Sequence, residues 1–151
     1  MHVKTIPTEH EEQKTLIEWA ELQRKANPEL KMLYAIPNGG HRNKIVATKL
    51  KAEGVKSGVP DMCLPVPRGG YHGLYIELKR LRGGRVSAEQ KIWIDCLEKQ
   101  GYQAIVCNGW FEARTAILDY LEGAQDERLD TNTYRHTERK RPQGSSQYSG
   151  R

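Results

Sequence analysis

LYIELK, residues 74–79, is the stretch on which the fold turns. In an extended chain, side chains two residues apart share a face. Leu74, Ile76 and Leu78 therefore point one way, into a core, while Tyr75, Glu77 and Lys79 point the other. The pattern reads as a strand with one wholly apolar face, and it sets Glu77 and Lys79 side by side, about 7 Å apart by the rise per residue. Immediately upstream, Gly58-Val59-Pro60-Asp61 leads into a second strand at 62–66, and Arg68-Gly69-Gly70 reads as the turn of a hairpin joining the two. Asp61 stands at the entrance of that second strand. Two carboxylates on neighbouring strands with a lysine alongside suit a hard divalent cation, Mg²⁺ or Mn²⁺, which keeps waters and a substrate phosphate as its remaining ligands. The plainer alternative is a Pro-Asp turn and a solvated strand face. The apolar opposite face, and an Asp placed where the neighbouring strand opens, favour the metal reading.

Further out, Thr8 and Glu11 have the spacing of a capping box, so a helix starts near Thr8. Leu16, Ile17, Ala20 and Leu22 carry it to about Ala26, where Asn27-Pro28 ends it. KMLYAI, residues 31–36, reads as a buried strand followed by a Pro37-Asn38-Gly39-Gly40 loop. Residues 43–53 read as a helix stopped by Gly54. Ser87 and Gln90 repeat the capping-box spacing and open a helix with Ile92, Trp93, Cys96 and Leu97 on its apolar side, closed by Gly101. A strand at 102–107 and a helix from Trp110 to Leu121 complete the order: helix, strand, helix, strand, strand, helix, strand, helix. That order defines an α/β fold, a mixed central β-sheet flanked by helices. The 151 residues divide into one domain at 1–122 and a basic tail at 123–151 too poor in apolar residues to fold alone.

Composition narrows the function. With 37% hydrophobic residues and a mean hydropathy of -0.75, the chain holds no apolar run near the roughly 20 residues of a membrane span. Its first residues, MHVKTIPTEHEEQ, lack the apolar stretch of a signal peptide, so a cytoplasmic location and no membrane partner are expected. Cys63, Cys96 and Cys107 form no CxxC pair, and the histidines show no zinc-ligand spacing, which argues against a disulfide scaffold or structural zinc. GVKSGVP lacks the Gly-Lys-Ser/Thr ending of a P-loop and opens onto a strand, so no nucleotide cofactor is expected. Of the net charge of +5, most belongs to residues 135–151, which carry five basic residues and one acidic. The informative charges are local. Arg42, Lys44, Lys49, Lys51 and Lys56 precede Asp61, and Arg80, Arg82, Arg85 and Lys91 follow Lys79. Cations flanking an acidic centre suit a phosphate backbone, and the lack of a base-reading motif points to recognition by shape.

Asp61 followed by Glu77-Leu78-Lys79 resembles the signature of the PD-(D/E)XK nuclease superfamily, and the element order is similar to its αβββαβ restriction-endonuclease-like core with a helix inserted at 43–53. More narrowly, the chain resembles the VRR-NUC family, in particular its small stand-alone phage and prophage members. The likeness runs over about residues 8–122 and rests on EHEEQ at 9–13, IPNGG at 36–40, GVKSGVPD at 54–61, GLYIELK at 73–79, and SAEQ at 87–90 with Trp93. Leu78 stands where the family name refers to valine, a mild change, since that position offers a metal only its backbone carbonyl.

The resemblance implies a divalent-metal-dependent, structure-selective DNA endonuclease, Holliday-junction resolvase-like and homodimeric, working in a bacterial or phage-infected cell. It implies that Asp61, Glu77, the Leu78 carbonyl and a first-helix glutamate, Glu9, hold Mg²⁺ or Mn²⁺, while Lys79 holds or helps deprotonate the attacking water. The family also uses a first-helix glutamate. Glu9 is the choice here, on a stripe with Gln13, Leu16 and Ala20; Glu11 is the capping residue and Glu12 the rival. Gln90 is either a helix cap or an active-site neighbour that orients water or phosphate. Asn38, Gly39, Gly40, Arg42, Lys44, Lys56, Arg80, Arg82 and Arg85 are the candidate DNA contacts. The glycines there, and Gly58, serve either as turn residues or as points of close backbone approach to phosphate. His41 and His72 read as surface residues, and Trp19, Trp93 and Trp110 as core. Two rival readings remain: a flap- or single-strand-directed or nonspecific nicking nuclease, and a non-catalytic DNA-binding module that kept the fold. The intact Asp61, Glu77 and Lys79 argue against the second.

Overall fold

Two capping boxes decide where the helices flanking the sheet begin. In the computed structural model, which describes residues 6–38 and 44–123, Thr8 Oγ1 accepts from the Glu11 amide at 3.2 Å and the Glu11 carboxylate accepts from the Thr8 amide at 2.8 Å. Helix α1 follows at Glu9–Gln23. Ser87 and Gln90 make the same reciprocal pair at the start of α3, Ala88–Lys99. Each box satisfies amide donors that a helix start otherwise leaves unpaired. Helix α2, Lys44–Ala52, runs out through Gly54, which takes φ 98°. Helix α4, Trp110–Glu122, starts after Gly109, a residue with φ 84° and no side chain to cap with.

Four strands form one sheet in the order β1-β2-β3-β4: β1 Tyr34–Ala35, β2 Met62–Leu64, β3 Leu74–Lys79 and β4 Gln103–Asn108. The first two pairings are antiparallel, and β3–β4 is parallel through the α3 crossover. Met62 lies opposite Ile76 and Leu64 opposite Leu74, which puts one face of the hairpin wholly in apolar side chains. The connecting turn closes with reciprocal backbone bonds between Arg68 and Tyr71. Leu16 and Ala20 of α1, and Ala113, Ile117 and Tyr120 of α4, pack on that face with Met62, Leu64, Leu74, Ile76, Leu78 and Cys107. Helix α3 covers part of the other face, where Gln90 reaches Glu77.

Several sequence expectations need correction. Residues 31–36 are not a buried strand: Pro28–Met32 is a 3₁₀ turn, and only the exposed pair Tyr34–Ala35 joins the sheet, as its edge. Proline at the first turn position favours the 3₁₀ start, and across residues 28–36 Leu30 alone is buried, with Leu33 and Ile36 half-buried. Helix α1 stops at Gln23, three residues before Ala26, in backbone turns from Ala26 and Asn27 to the Gln23 carbonyl. Gly58, φ 83°, packs against α3: a Cβ there would lie 2.7 Å from the Glu89 backbone. The expected loop at Gly39 and Gly40, the Arg42 contact and His41 lie outside the described residues, as does the tail beyond residue 123. No helix among the described residues is long and apolar enough to cross a membrane.

Candidate active site

Extending the β2–β3 register by one residue sets Asp61 opposite Glu77, and by two sets Pro60 opposite Leu78. Proline has no N–H to donate, so the ladder ends there. The Leu78 amide finds the Asp61 side chain instead, at 2.8 Å from Oδ2. The Leu78 carbonyl faces the same side of the strand, where Pro60 has nothing to offer it. One proline thus brings Asp61 onto the end of β3 and leaves a backbone oxygen beside it. Asn38 props this segment from outside, its Nδ2 donating to the Val59 carbonyl.

The face carrying Glu77 and Lys79 is not the solvated strand face of the plainer alternative. It is buried as well: Glu77 is 1% exposed and Lys79 6%. Lys79 Nζ donates to Glu77 Oε1 at 2.6 Å and lies 4.0 Å from Glu9 Oε1. The loop after β3 folds back over the lysine so tightly that a Cβ on Gly84 would sit 2.8 Å from Lys79 Cβ. Gln90 caps its helix and also reaches Glu77. Its Oε1 accepts from the Ser87 amide as the capping residue, and its Nε2 donates to Glu77 Oε1. Glu77 Oε1 therefore takes two donors while Oε2 is buried with none.

Burial pushes the Glu77 carboxyl from 4.5 up to about 7; the Lys79 hydrogen bond opposes the rise, and the Asp61 and Glu9 charges add to it. Burial likewise raises Asp61, against the Leu78 amide and Lys79, which favour its ionised form. Two carboxylates that resist ionisation, one with an unpartnered inward oxygen, form a site short of positive charge. A hard divalent cation would supply that charge. Among the described residues no group of three or more His, Cys, Asp or Glu side chains stands close enough to hold a metal. Asp61 and Glu77, with the Leu78 carbonyl as a third donor, would suit an ion that keeps several waters.

Glu9 and Glu12 separate clearly. Glu9 is half-exposed and lines a cleft of about 360 Å³ together with His10, Gln13, Ile36, Asn38, Asp61 and Leu78. Glu12 is 2% exposed and turned away, its Oε2 accepting from the Trp110 amide at 2.8 Å. The buried stripe of α1 is accordingly Glu12, Leu16 and Ala20 rather than the stripe through Glu9. His10 and Gln13 are cleft residues that sequence reading did not assign to the site. Gln13 was visible one turn beyond Glu9, whereas His10 carried no signal. Arg80, Arg82 and Arg85 are exposed on the loop after β3. Lys56 is exposed beside a separate cavity of about 490 Å³ walled by Asn38, Leu50, Lys51 and Val55. Lys44 begins α2, and its side chain lies outside the described residues. Trp93 is half-buried, its Nε1 donating to the Ser57 carbonyl at 3.0 Å and tying α3 to the segment before Asp61.

A mixed sheet flanked by four helices, with Asp61 meeting a Glu-x-Lys strand at one end, is a PD-(D/E)XK-like α/β core. The chain belongs to the VRR-NUC family: the VRR-NUC domain model matches residues 3–110. A solved structure described as a VRR_NUC domain protein is similar to it, with 33% sequence identity, a TM-score of 0.67, and coverage of 78% of this chain and 91% of that one. No curated protein matches the sequence. Membership implies a nuclease-type DNA-processing function, and nucleases of this family generally use divalent metals.

Proposed function

We propose that the protein is a Mg²⁺- or Mn²⁺-dependent DNA endonuclease that recognises branched DNA by structure and cuts it in the manner of a Holliday-junction resolvase. The observation that carries the reading is the Glu77 carboxylate. Lys79 and Gln90 occupy one of its oxygens, and the other is buried and free beside Asp61. Asp61, Glu77 and the Leu78 carbonyl would hold the ion. Bound there, it supplies polarisation of the scissile phosphodiester and a lowered pKa for water.

The chain's own residues do the rest. Gln90 fixes the rotamer of Glu77 by donating to Oε1, and it is itself fixed by its capping bond to Ser87. Lys79, desolvated under the Gly84 loop, presents a positive charge where negative charge develops on the phosphate oxygens. It also orients the water whose oxygen bonds to phosphorus as the phosphorus–oxygen bond to the leaving sugar breaks. Glu9 adds negative charge from the opposite wall of the cleft. Arg80, Arg82, Arg85, Lys56 and Lys44, with Asn38, Gly39, Gly40 and Arg42, serve as contacts to the DNA backbone. The nuclease domain spans 1–122. One domain holds one active site, so paired incisions across a junction need two copies, and a homodimer is the working form. It acts in the cytoplasm of a bacterial or phage-infected cell.

The test is cleavage of a panel of four-way junction, flap, nicked, single-stranded and duplex DNA with Mg²⁺, Mn²⁺ or EDTA. Symmetric paired nicks on the junction that need the metal are expected, and Glu77→Ala or Lys79→Ala should abolish them while junction binding persists. Full activity in either variant would sink the assignment, and one-sided cuts would replace the resolvase reading with a flap nuclease.

A further inference from the structure

Glu12 is a buried acid that the proposed chemistry does not use. It sits in the first helix turn, three residues from Glu9, and is 2% exposed. Its Oε2 accepts from the Trp110 amide across 98 residues of sequence, and its Oε1 is buried without a hydrogen-bond partner. The helix it reaches has no cap of its own, because α4 starts after Gly109, which carries no side chain. The carboxylate of α1 therefore does for α4 what Thr8 and Ser87 do for their own helices.

The neighbouring amide leads back to the site. The Gly109 N–H donates to the Lys79 carbonyl at 2.7 Å. Gly109 and Trp110 thus offer two successive amides, one to the backbone of Lys79 and one to the side chain of Glu12. Contacts then run in a ring: Glu9 to Lys79 across the cleft at 4.0 Å, Lys79 to Gly109, Trp110 to Glu12, and Glu12 through one helical turn back to Glu9. Gly109 has no slack in this ring. At φ 84°, an added Cβ would lie 2.9 Å from Leu81 Cδ2 and 3.4 Å from Glu12 Oε2.

We infer that Glu12 is a positioning residue: by capping α4 from α1 it sets the placement of Glu9 against Lys79, and so the geometry in which the site holds its ion and its substrate phosphate. This rests on the nuclease reading for its consequence, though not for the link itself. Misplacing a catalytic group by an ångström costs up to about 100-fold in rate.

The experiment compares Glu12→Ala and Glu12→Gln in the full chain, assayed well below their melting temperatures. Glu12→Ala is expected to lower kcat on junction DNA by about 10- to 100-fold with KM for DNA unchanged, and to reduce the rise in Tm on adding Mn²⁺. Glu12→Gln keeps an oxygen for the Trp110 amide and should stay within about twofold of wild type in both readouts, a rescue that follows from the retained bond. Hydrogen exchange at the Trp110 and Gly109 amides reads the link without any cleavage: protection should fall in Glu12→Ala and persist in Glu12→Gln. Wild-type kcat in Glu12→Ala, equal impairment of the two variants, or unchanged Trp110 protection in Glu12→Ala overturns the inference. A wild-type protein that cuts no DNA overturns the nuclease reading instead, and the exchange data then decide the Glu12 link alone.

Discussion

Replacing Glu77 with Gln keeps the shape of a buried side chain and removes its charge. In the metal-free protein, burial lifts this carboxyl from 4.5 to about 7, with Lys79 opposing and Asp61 reinforcing the rise. A folded-state pKa above the unfolded one means that the native state holds its proton longer. Stability is therefore full below about pH 4.5, declines as pH rises, and has been lost to this group above about pH 7. At about 1.4 kcal/mol per pKa unit, ionising Glu77 costs the native state about 3 kcal/mol. Leu74, Ile76 and Leu78 on the opposite face of β3 are each at most 1% exposed, and their burial contributes about 2 kcal/mol apiece. That surplus lets the strand carry a strained carboxylate. An amide in its place never ionises, so in EDTA the Glu77→Gln variant should match wild type near pH 5 and exceed it by about 3 kcal/mol above pH 8. The gap amounts to about 10 °C in Tm for a domain of this size. Thermal and urea unfolding followed by circular dichroism across that range provide the assay. Adding Mg²⁺ should reverse the order, because a ligand that binds only the native wild type stabilises it by mass action. The reasoning is refuted if Glu77→Gln is the less stable protein at high pH in EDTA, or if the gap does not change with pH.

Two further outcomes follow from the same geometry. At limiting Mg²⁺, cleavage should fall up to about tenfold per pH unit below about pH 7, because a proton on Glu77 competes with the ion, and excess metal should move the midpoint to lower pH; a midpoint indifferent to metal concentration would contradict shared occupancy. Gly58→Ala forces a Cβ at φ 83° to within 2.7 Å of the Glu89 backbone. It should destabilise the fold by about 1–3 kcal/mol in urea titration and lower cleavage by displacing the α3 start that carries Gln90, whereas wild-type stability would show that the loop yields freely.

Much of this was legible in one dimension because the interactions are local. Both capping boxes span three residues, so Thr8–Glu11 and Ser87–Gln90 announced their helices in the sequence. The alternation of LYIELK gave the apolar face of β3, and the Pro60-Asp61 entrance placed a carboxylate beside it. The KMLYAI run misled for a physical reason. A short apolar stretch has no periodicity with which to tell a central strand from a 3₁₀ turn and an edge, and Pro28 favoured the turn.

By itself, the sequence determined the family and the order of elements, and it singled out Asp61, Glu77 and Lys79 as the candidate site, because each rests on residue type at short spacing. Which first-helix glutamate faces the cleft was beyond it. Glu9 and Glu12 lie one turn apart on the same helix, and only the packing of α4, with an uncapped start at Gly109, decided that Glu12 turns inward while Glu9 stays in the cleft. The same holds for the second role of Gln90 and the unpartnered oxygen of Glu77. Contacts between residues 13 to 98 positions apart exist only once β3 and the helices around it have docked.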